Sequence, residues 1–296
     1  MKLVLTLIAA PNSNALTDAV INQASIALTG AGALVGDVVR LGEGEACDLV
    51  FDGITLDVAD TTLAEAELPV DAVTQKIATR RKKLLIADMD STMVTGETLD
   101  ELAEFAGVKD RVAAITARAM NGELDFEEAL DERVSLLEGM STDMLKEAWK
   151  TIEYTGGAKT LVATMKANGA FAALVSGGFD FFTGAVRAEL GFDYDQANVL
   201  IENGGKLTGK VKKPVLDRQA KVDALENLSA ELGITVGDAI AVGDGANDLQ
   251  MISLAGAGVA FHAKPSVQEQ ARICINHGDL TALLYMQGYA KSDFVS

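Results

Sequence analysis

Short apolar runs alternate with longer stretches of helical spacing along most of the chain. Leu3–Ala9 is a dense apolar run closed by Pro11-Asn12-Ser13-Asn14, the pattern of a buried first strand. Leu16–Leu28 places apolar residues at helical intervals and stops near Gly30. Ala33–Leu41 and Cys47–Phe51 read as two more strands around Gly42-Glu43-Gly44, with a short element near Leu63–Glu67. This β-α-β-β order predicts a small ferredoxin-like α+β domain over residues 1–75. Past Pro69 the spacing predicts a helix ending in Arg80-Arg81-Lys82-Lys83, a solvated basic helix end.

The second domain is expected over residues 76–296. Its uninterrupted apolar runs, Leu84–Ala87, Phe171–Val175 and Ala239–Val242, predict buried parallel strands, extended by Gly258–Phe261 and Ile273–Ile275. Helical stretches between them predict an α/β fold, a doubly wound parallel sheet with helices on both faces. Asn203-Gly204-Gly205 between Val199–Glu202 and Lys206–Val211 predicts a hairpin. Leu99–Lys150 is almost purely helical in pattern, as expected of a cap inserted at about residues 97–155.

Charge narrows the partners. The 296 residues carry 25 basic and 43 acidic side chains, a net charge of −18, which argues against nucleic acid and anionic lipid. A small anionic substrate remains open, because a metal ion and one or two basic side chains make a site locally positive. Two cysteines, Cys47 and Cys274, form no CxxC and read as small buried hydrophobes in a reducing, cytoplasmic setting. With only two histidines, His262 and His277, a metal is expected on oxygen ligands. No run approaches the ~18 apolar residues of a spanning helix.

The candidate chemistry lies where apolar strands end. Asp88-Met89-Asp90-Ser91-Thr92, Ser176-Gly177-Gly178 and Gly243-Asp244-Gly245-Ala246-Asn247-Asp248 each follow one. Open α/β sheets bind ligands beyond the carboxyl ends of their strands. Residues two apart in extended chain point the same way, so Asp88 and Asp90 converge. Joined by Asp244, they make a carboxylate cluster that requires a cation, and Mg²⁺ suits oxygen donors shared with a phosphate. Ser176 and the unshielded Gly177 N–H read as a phosphate cradle.

These motifs, with Lys221 between the second and third, resemble the haloacid dehalogenase superfamily of phosphohydrolases. Glu97–Leu102, Arg133–Leu137, Val175–Asp180, Gly205–Gly209, Val242–Asp248 and Ala263-Lys264-Pro265 are similar to phosphoserine phosphatases within it. The resemblance covers Lys83 to the C-terminus. It implies that Asp88 is the nucleophile and Asp90 the general acid and base. Mg²⁺ is then held by the Asp88 carboxylate, the Asp90 carbonyl and Asp244, with Asp248 outside or acting through water. Ser176, Gly177, Lys221 and Asn247 are implied to hold the phosphoryl group. Glu97 is implied to meet the substrate ammonium, Arg133 its carboxylate, and Met120 and Phe126 to close over it. The expected reaction is Mg²⁺-dependent hydrolysis of O-phospho-L-serine. The alternative is phosphoryl transfer to another hydroxyl such as homoserine. For residues 1–75 the resemblance implies an ACT-like module, with homodimerisation through it a further expectation.

Overall fold

The computed structural model describes residues 2–120 and 123–296, the Met120 side chain excepted. Its first sheet is built from β1 (Leu3–Ile8), β2 (Leu34–Gly42), β3 (Ala46–Asp52) and β4 (Asp71–Lys76), with α1 (Asp18–Gly30) after β1 and α2 (Leu56–Glu65) after β3. The order β2-β3-β1-β4, antiparallel at every pairing, is the ferredoxin-like arrangement of a β-α-β-β-α-β chain. Thr17 and Thr55 start the helices by accepting the N–H of Val20 and of Val58. Every residue of β1 is buried, because both faces of the sheet are covered. Leu5, Leu7 and Phe51 pack with Ile21 and Leu28 of α1, while Ile8, Ala46 and Val73 join the main core with Leu283 and Tyr285.

The helix expected after Pro69 is replaced by β4 and one turn of 3-10 helix at Ile77–Thr79. All six residues of β4 pair in register with β1, and this ladder outweighs local helical spacing. The basic run is therefore no helix end, and only Arg81 and Lys83 of it stay exposed. Arg80 pairs with Asp48 at 2.6 Å, Arg81 lies 3.3 Å over the Tyr289 ring, and the buried Lys82 donates to the Gly237 carbonyl.

The second sheet begins with β5 (Leu84–Ala87). Four helices follow, α3 (Thr98–Phe105), α4 (Lys109–Met120), α5 (Phe126–Ser135) and α6 (Asp143–Trp149). Then come α7 (Ala158–Ala167), β6 (Phe171–Phe179), α8 (Asp180–Leu190) and β7 (Tyr194–Asn198). The hairpin β8 (Leu200–Asn203) and β9 (Lys206–Val211) leads to α9 (Arg218–Glu231). The chain ends through β10 (Ala239–Gly243), α10 (Leu249–Leu254), β11 (Ala257–Phe261), α11 (Pro265–Gln268), β12 (Ile273–Ile275) and α12 (Ala282–Tyr285). The parallel order β12-β11-β10-β5-β6-β7 reverses direction between β5 and β10, the point where such sheets open a crevice.

The edge strand β7 was not expected, since Tyr-Asp-Gln-Ala-Asn has no apolar run. The hairpin, expected as such, attaches to the cap. Leu207 N–H donates to the Met140 carbonyl at 2.8 Å, and Gly139 N–H to the Leu207 carbonyl at 2.9 Å. The two ends of the insertion pair with each other, Thr95 N–H to Glu153 and Thr155 N–H to Met93. Cys47 is buried as expected and its thiol is pushed up to about 12 by burial, whereas Cys274 is only half-buried.

Candidate active site

Three turns meet beyond the carboxyl ends of β5, β6 and β10. The Asp88 N–H donates to the Val242 carbonyl at 3.0 Å, which continues the β5–β10 ladder by one step and fixes Asp88 at the crevice. Asp88 and Asp90 both keep extended backbone angles, and Ser91, at φ +53°, then turns the chain back. The turn is held by Ser91 N–H on the Gly96 carbonyl and Val94 N–H on the Met89 carbonyl.

Carboxylate oxygens of Asp88, Asp244 and Asp248 all lie within 4.8 Å of one another. Lys221, brought in by α9 and almost fully buried, bridges two of them, at 2.6 Å to Asp88 and 2.5 Å to Asp248. Burial opposes the Lys221 charge, but the two carboxylates hold its pKa above the ordinary lysine value. Burial and the Asp248 charge push Asp88 up, against the pull of Lys221. Asp244 is pushed up to about 6, first by burial and then by Asp248. One ammonium thus faces three carboxylates. The shortfall of positive charge and the all-oxygen donor set both fit a hard divalent cation. Asp248, expected at the periphery, stands inside the cluster. Its Oδ2 accepts the Gly245 N–H at 3.1 Å, and Gly243 leaves it room where any Cβ would collide.

Asp90 faces a different environment. Its Oδ1 accepts the Thr98 N–H at 2.9 Å, and its Oδ2 lies 3.5 Å from Ser176 Oγ. Burial, with the Glu97 charge second, raises Asp90 to about 7 against that hydrogen bond. Ser176 is buried, and its Oγ accepts the Gly178 N–H at 2.9 Å. A Cβ on Gly178 would come within 2.8 Å of Asp90 Oδ2, so only glycine lets the loop approach this closely.

The cap supplies the other expected residues. Phe126 opens α5, and its ring stands 3.5 Å from where a Gly177 Cβ would be, over the cradle. The Met120 side chain lies outside the described residues. Exposed Glu97 accepts the Ser91 hydroxyl at 2.9 Å. Half-buried Arg133 donates through Nε to the Ala129 carbonyl and, among the described residues, has no carboxylate within 4 Å. Burial lowers its pKa, while Asp100 and Glu97 favour its charge. Neither Glu97 nor Arg133 touches the carboxylate cluster. Exposed Asn247 has its amide oxygen folded over Gly245.

Asn198, at the end of β7, has a role that sequence reasoning missed. Its Nδ2 donates to the carbonyls of Gly177 and Leu216, and its Oδ1 accepts the Leu216 N–H at 2.7 Å. It ties the cradle to the segment that precedes α9 and Lys221. Recognising β7 beside β6 is the signal that would have found it.

A model of the haloacid dehalogenase-like hydrolases matches residues 85–253. A phosphoserine phosphatase of Streptomyces coelicolor is 38% identical over 90% of this chain and 66% of its own length. One from Methanocaldococcus jannaschii is 45% identical over 69% of this chain and 97% of its own. The unliganded crystal structure of a probable phosphoserine phosphatase from Vibrio cholerae superposes with a TM-score of 0.79 at 32% identity, covering 99% of this chain and 88% of that one. The chain spans about two thirds of the length of the Streptomyces relative. It belongs to the haloacid dehalogenase-like hydrolase family.

Proposed function

We propose that the protein is a Mg²⁺-dependent phosphatase that converts O-phospho-L-serine to L-serine and phosphate, acting in the cytoplasm. The observation that carries this reading is the split between two carboxylates two residues apart. Asp88 is bound to a buried ammonium, and Asp90 faces a serine hydroxyl with its pKa raised to about 7. Burial raises both carboxyls, but only Asp88 has an ammonium in contact to favour its charged form, which suits the nucleophile and leaves Asp90 to act as the acid. The relatives named phosphoserine phosphatases support the substrate.

In this mechanism Asp88 Oδ attacks phosphorus in line and the P–O bond to the serine oxygen breaks. Asp90 gives that oxygen its proton, and the phosphoryl group rests on Asp88 as an acyl phosphate. Asp90, now a carboxylate, takes a proton from a water that attacks the same phosphorus, which frees phosphate and restores Asp88. Ser176 Oγ and the Gly177 N–H hold phosphoryl oxygens, with Asn247 beside them, and Lys221 offsets their charge and keeps Asp88 in place. Mg²⁺, held by Asp88, Asp244 and the Asp90 carbonyl with Asp248 adjacent, would neutralise the carboxylates and the phosphoryl oxygens. Arg133 offers a free guanidinium fork to the substrate carboxylate, and Glu97 meets the ammonium. Phe126 excludes water from above. Residues 1–75 and 76–296 are taken as two domains, the second carrying all of this chemistry.

The test is phosphate release from O-phospho-L-serine in Mg²⁺ and in EDTA. Metal-dependent release is expected, with far slower release from phosphate esters that lack the amino-acid group. Equal rates on such esters would remove Glu97 and Arg133 from substrate recognition, and no release in Mg²⁺ would overturn the assignment.

A further inference from the structure

Asp88 is 5% exposed and Ser176 2%, and the Phe126 ring that opens α5 stands over the cradle. Entry to groups this buried requires the cover to give way, and Phe126 and Arg133 serve a substrate only once α5 is back in place. What holds α5 there therefore bears on turnover. Its inner side is held by apolar packing at Ala129, Leu130 and Val134. Its outer side is held by charge. Lys213, in the loop between β9 and α9, places its Nζ 2.6 Å from Glu127 Oε1 and 2.9 and 2.8 Å from the two Asp131 oxygens. Glu127 and Asp131 are four residues apart on α5 and so share a face, where one ammonium clasps both. Asp131 and Glu127 in turn hold the Lys213 pKa above the ordinary lysine value. Among the described residues, no other salt bridge joins the four cap helices to the rest of the chain.

The loop that carries Lys213 is fixed from the other end. Asn198 takes both the N–H and the carbonyl of Leu216 and also donates to the Gly177 carbonyl of the cradle. Polar contacts thus run without a break from α5 through Lys213 and its loop to Gly177. The hairpin makes a separate attachment. Thr142 N–H donates to the Gly205 carbonyl at 2.9 Å, and Gly209, at φ +70°, seats the hairpin where a Cβ would stand 2.9 Å from Glu138 Cβ and 3.2 Å from the Ser135 carbonyl. The two attachments differ in strength. The hairpin is joined by backbone bonds and close packing. Lys213 is 45% exposed in its pairs, and an exposed ion pair shifts an equilibrium by only about 1.5- to 5-fold. A contact that must release and reform at each turnover has to be of the weaker kind.

We propose that Lys213 is a positioning residue for the reaction, a releasable clasp on Glu127 and Asp131 that sets α5, and with it Phe126 and Arg133, over the phosphate cradle. It touches no substrate itself and acts through the helix it holds. In its kinetic consequence the proposal rests on the phosphatase reading above, whereas the clasp itself can be observed without any substrate.

The experiment uses the full chain and has two arms, hydrogen exchange of the α5 backbone amides without substrate, and steady-state kinetics in Mg²⁺ on O-phospho-L-serine and on nitrophenyl phosphate. Lys213→Glu sets three acids against one another. Its α5 amides are expected to exchange several-fold faster than those of wild type, with the melting point lowered by no more than about 2 °C. Its KM for O-phospho-L-serine is expected to rise about three- to tenfold, with kcat within about twofold. Lys213→Met should show the same changes at smaller amplitude, and it carries both arms if Lys213→Glu does not fold. Lys213→Arg, which keeps the charge, should match wild type. Adding Asp131→Lys to Lys213→Glu exchanges the signs of the main pair and should recover at least half of both changes, a rescue that a merely structural lysine would not give. The proposal is overturned if α5 exchange is unchanged in Lys213→Glu, if exchange rises while KM stays put, or if the exchanged pair recovers neither. If wild type leaves O-phospho-L-serine intact, the substrate reading fails on its own, and α5 exchange together with KM for nitrophenyl phosphate still decides the clasp.

Discussion

The two sheets of this protein treat buried carboxylates in opposite ways. In the antiparallel sheet, Asp48 accepts the Thr6 hydroxyl and pairs with Arg80, while Asp71 accepts the N–H groups of Asn276, His277 and Gly278. Their hydrogen-bonding capacity is spent on structure. In the parallel sheet, Asp88, Asp244 and Asp248 crowd together with one ammonium among them. Strand direction explains the difference. Parallel strands deliver all their carboxyl ends to one edge, so the turns after β5, β6 and β10 converge. Antiparallel strands send alternate ends to opposite edges, and no such gathering occurs. Where charge is under-compensated, the structure is poised for a ligand. Where it is fully compensated, it serves as a joint.

The largest effect should come from removing the proposed nucleophile. Asp88→Asn is expected to lower phosphate release at least about 10³-fold. Folding should survive, because the change removes one of three mutually repelling carboxylates. Steady-state assay and thermal melting check the two halves, and a variant that unfolds would show that the cluster is structural after all. Lys221→Met sharpens the contrast from the cation side. It leaves Asp88 and Asp248 buried without their ammonium, and a broken buried pair costs about 3–5 kcal/mol. Activity and stability should fall together, and divalent cation should recover part of the melting point by offsetting the same carboxylates. A Lys221→Met protein as stable as wild type without metal would contradict the charge argument. Arg133→Ala should act on recognition alone. Loss of charged hydrogen bonds of about 1.5–3 kcal/mol predicts a fall in kcat/KM on the order of 10–100-fold, carried by KM. An unchanged KM for phosphoserine would take Arg133 away from the substrate carboxylate.

Much of this contrast was legible in the sequence, for physical reasons. Leu84–Ala87 and Ala239–Val242 are buried on both faces, so their apolar runs announce parallel strands, and the acidic turns that follow mark the site. Asp88 and Asp90 followed from the two-residue period of extended chain. Long-range decisions were hidden. Asp71–Lys76 becomes a strand only because β1 offers it a ladder, and Tyr194–Asn198 only because β6 does. Asn198 and the inner position of Asp248 depend on those pairings and on the α9 lysine, none of which local spacing encodes. The basic run at 80–83 reads as solvated in isolation, yet Arg80 and Lys82 are drawn into the seam once β4 has formed, while Arg81 and Lys83 stay exposed.

The smallest predicted effect tests the other half of the comparison. Asp71 is 4% exposed, and its two oxygens receive three backbone N–H groups from the loop after β12. Asp71→Asn keeps the shape but turns one oxygen into an amide donor. If that donor faces Gly278, whose N–H lies 2.7 Å from Oδ2, donor meets donor in a buried position. If it faces Asn276 and His277, two such bonds are lost. Either orientation leaves buried N–H groups unpaired, at a cost of about 1–3 kcal/mol, which for a chain of this size lowers the melting point by about 2–6 °C. The carboxylate cluster is untouched, so kcat and KM measured well below the melting point should match wild type. A stable variant with impaired turnover would mean that the joint between the sheets feeds the active site directly, and the division of labour between spent and unspent carboxylates would fail at the residue where it is drawn most sharply.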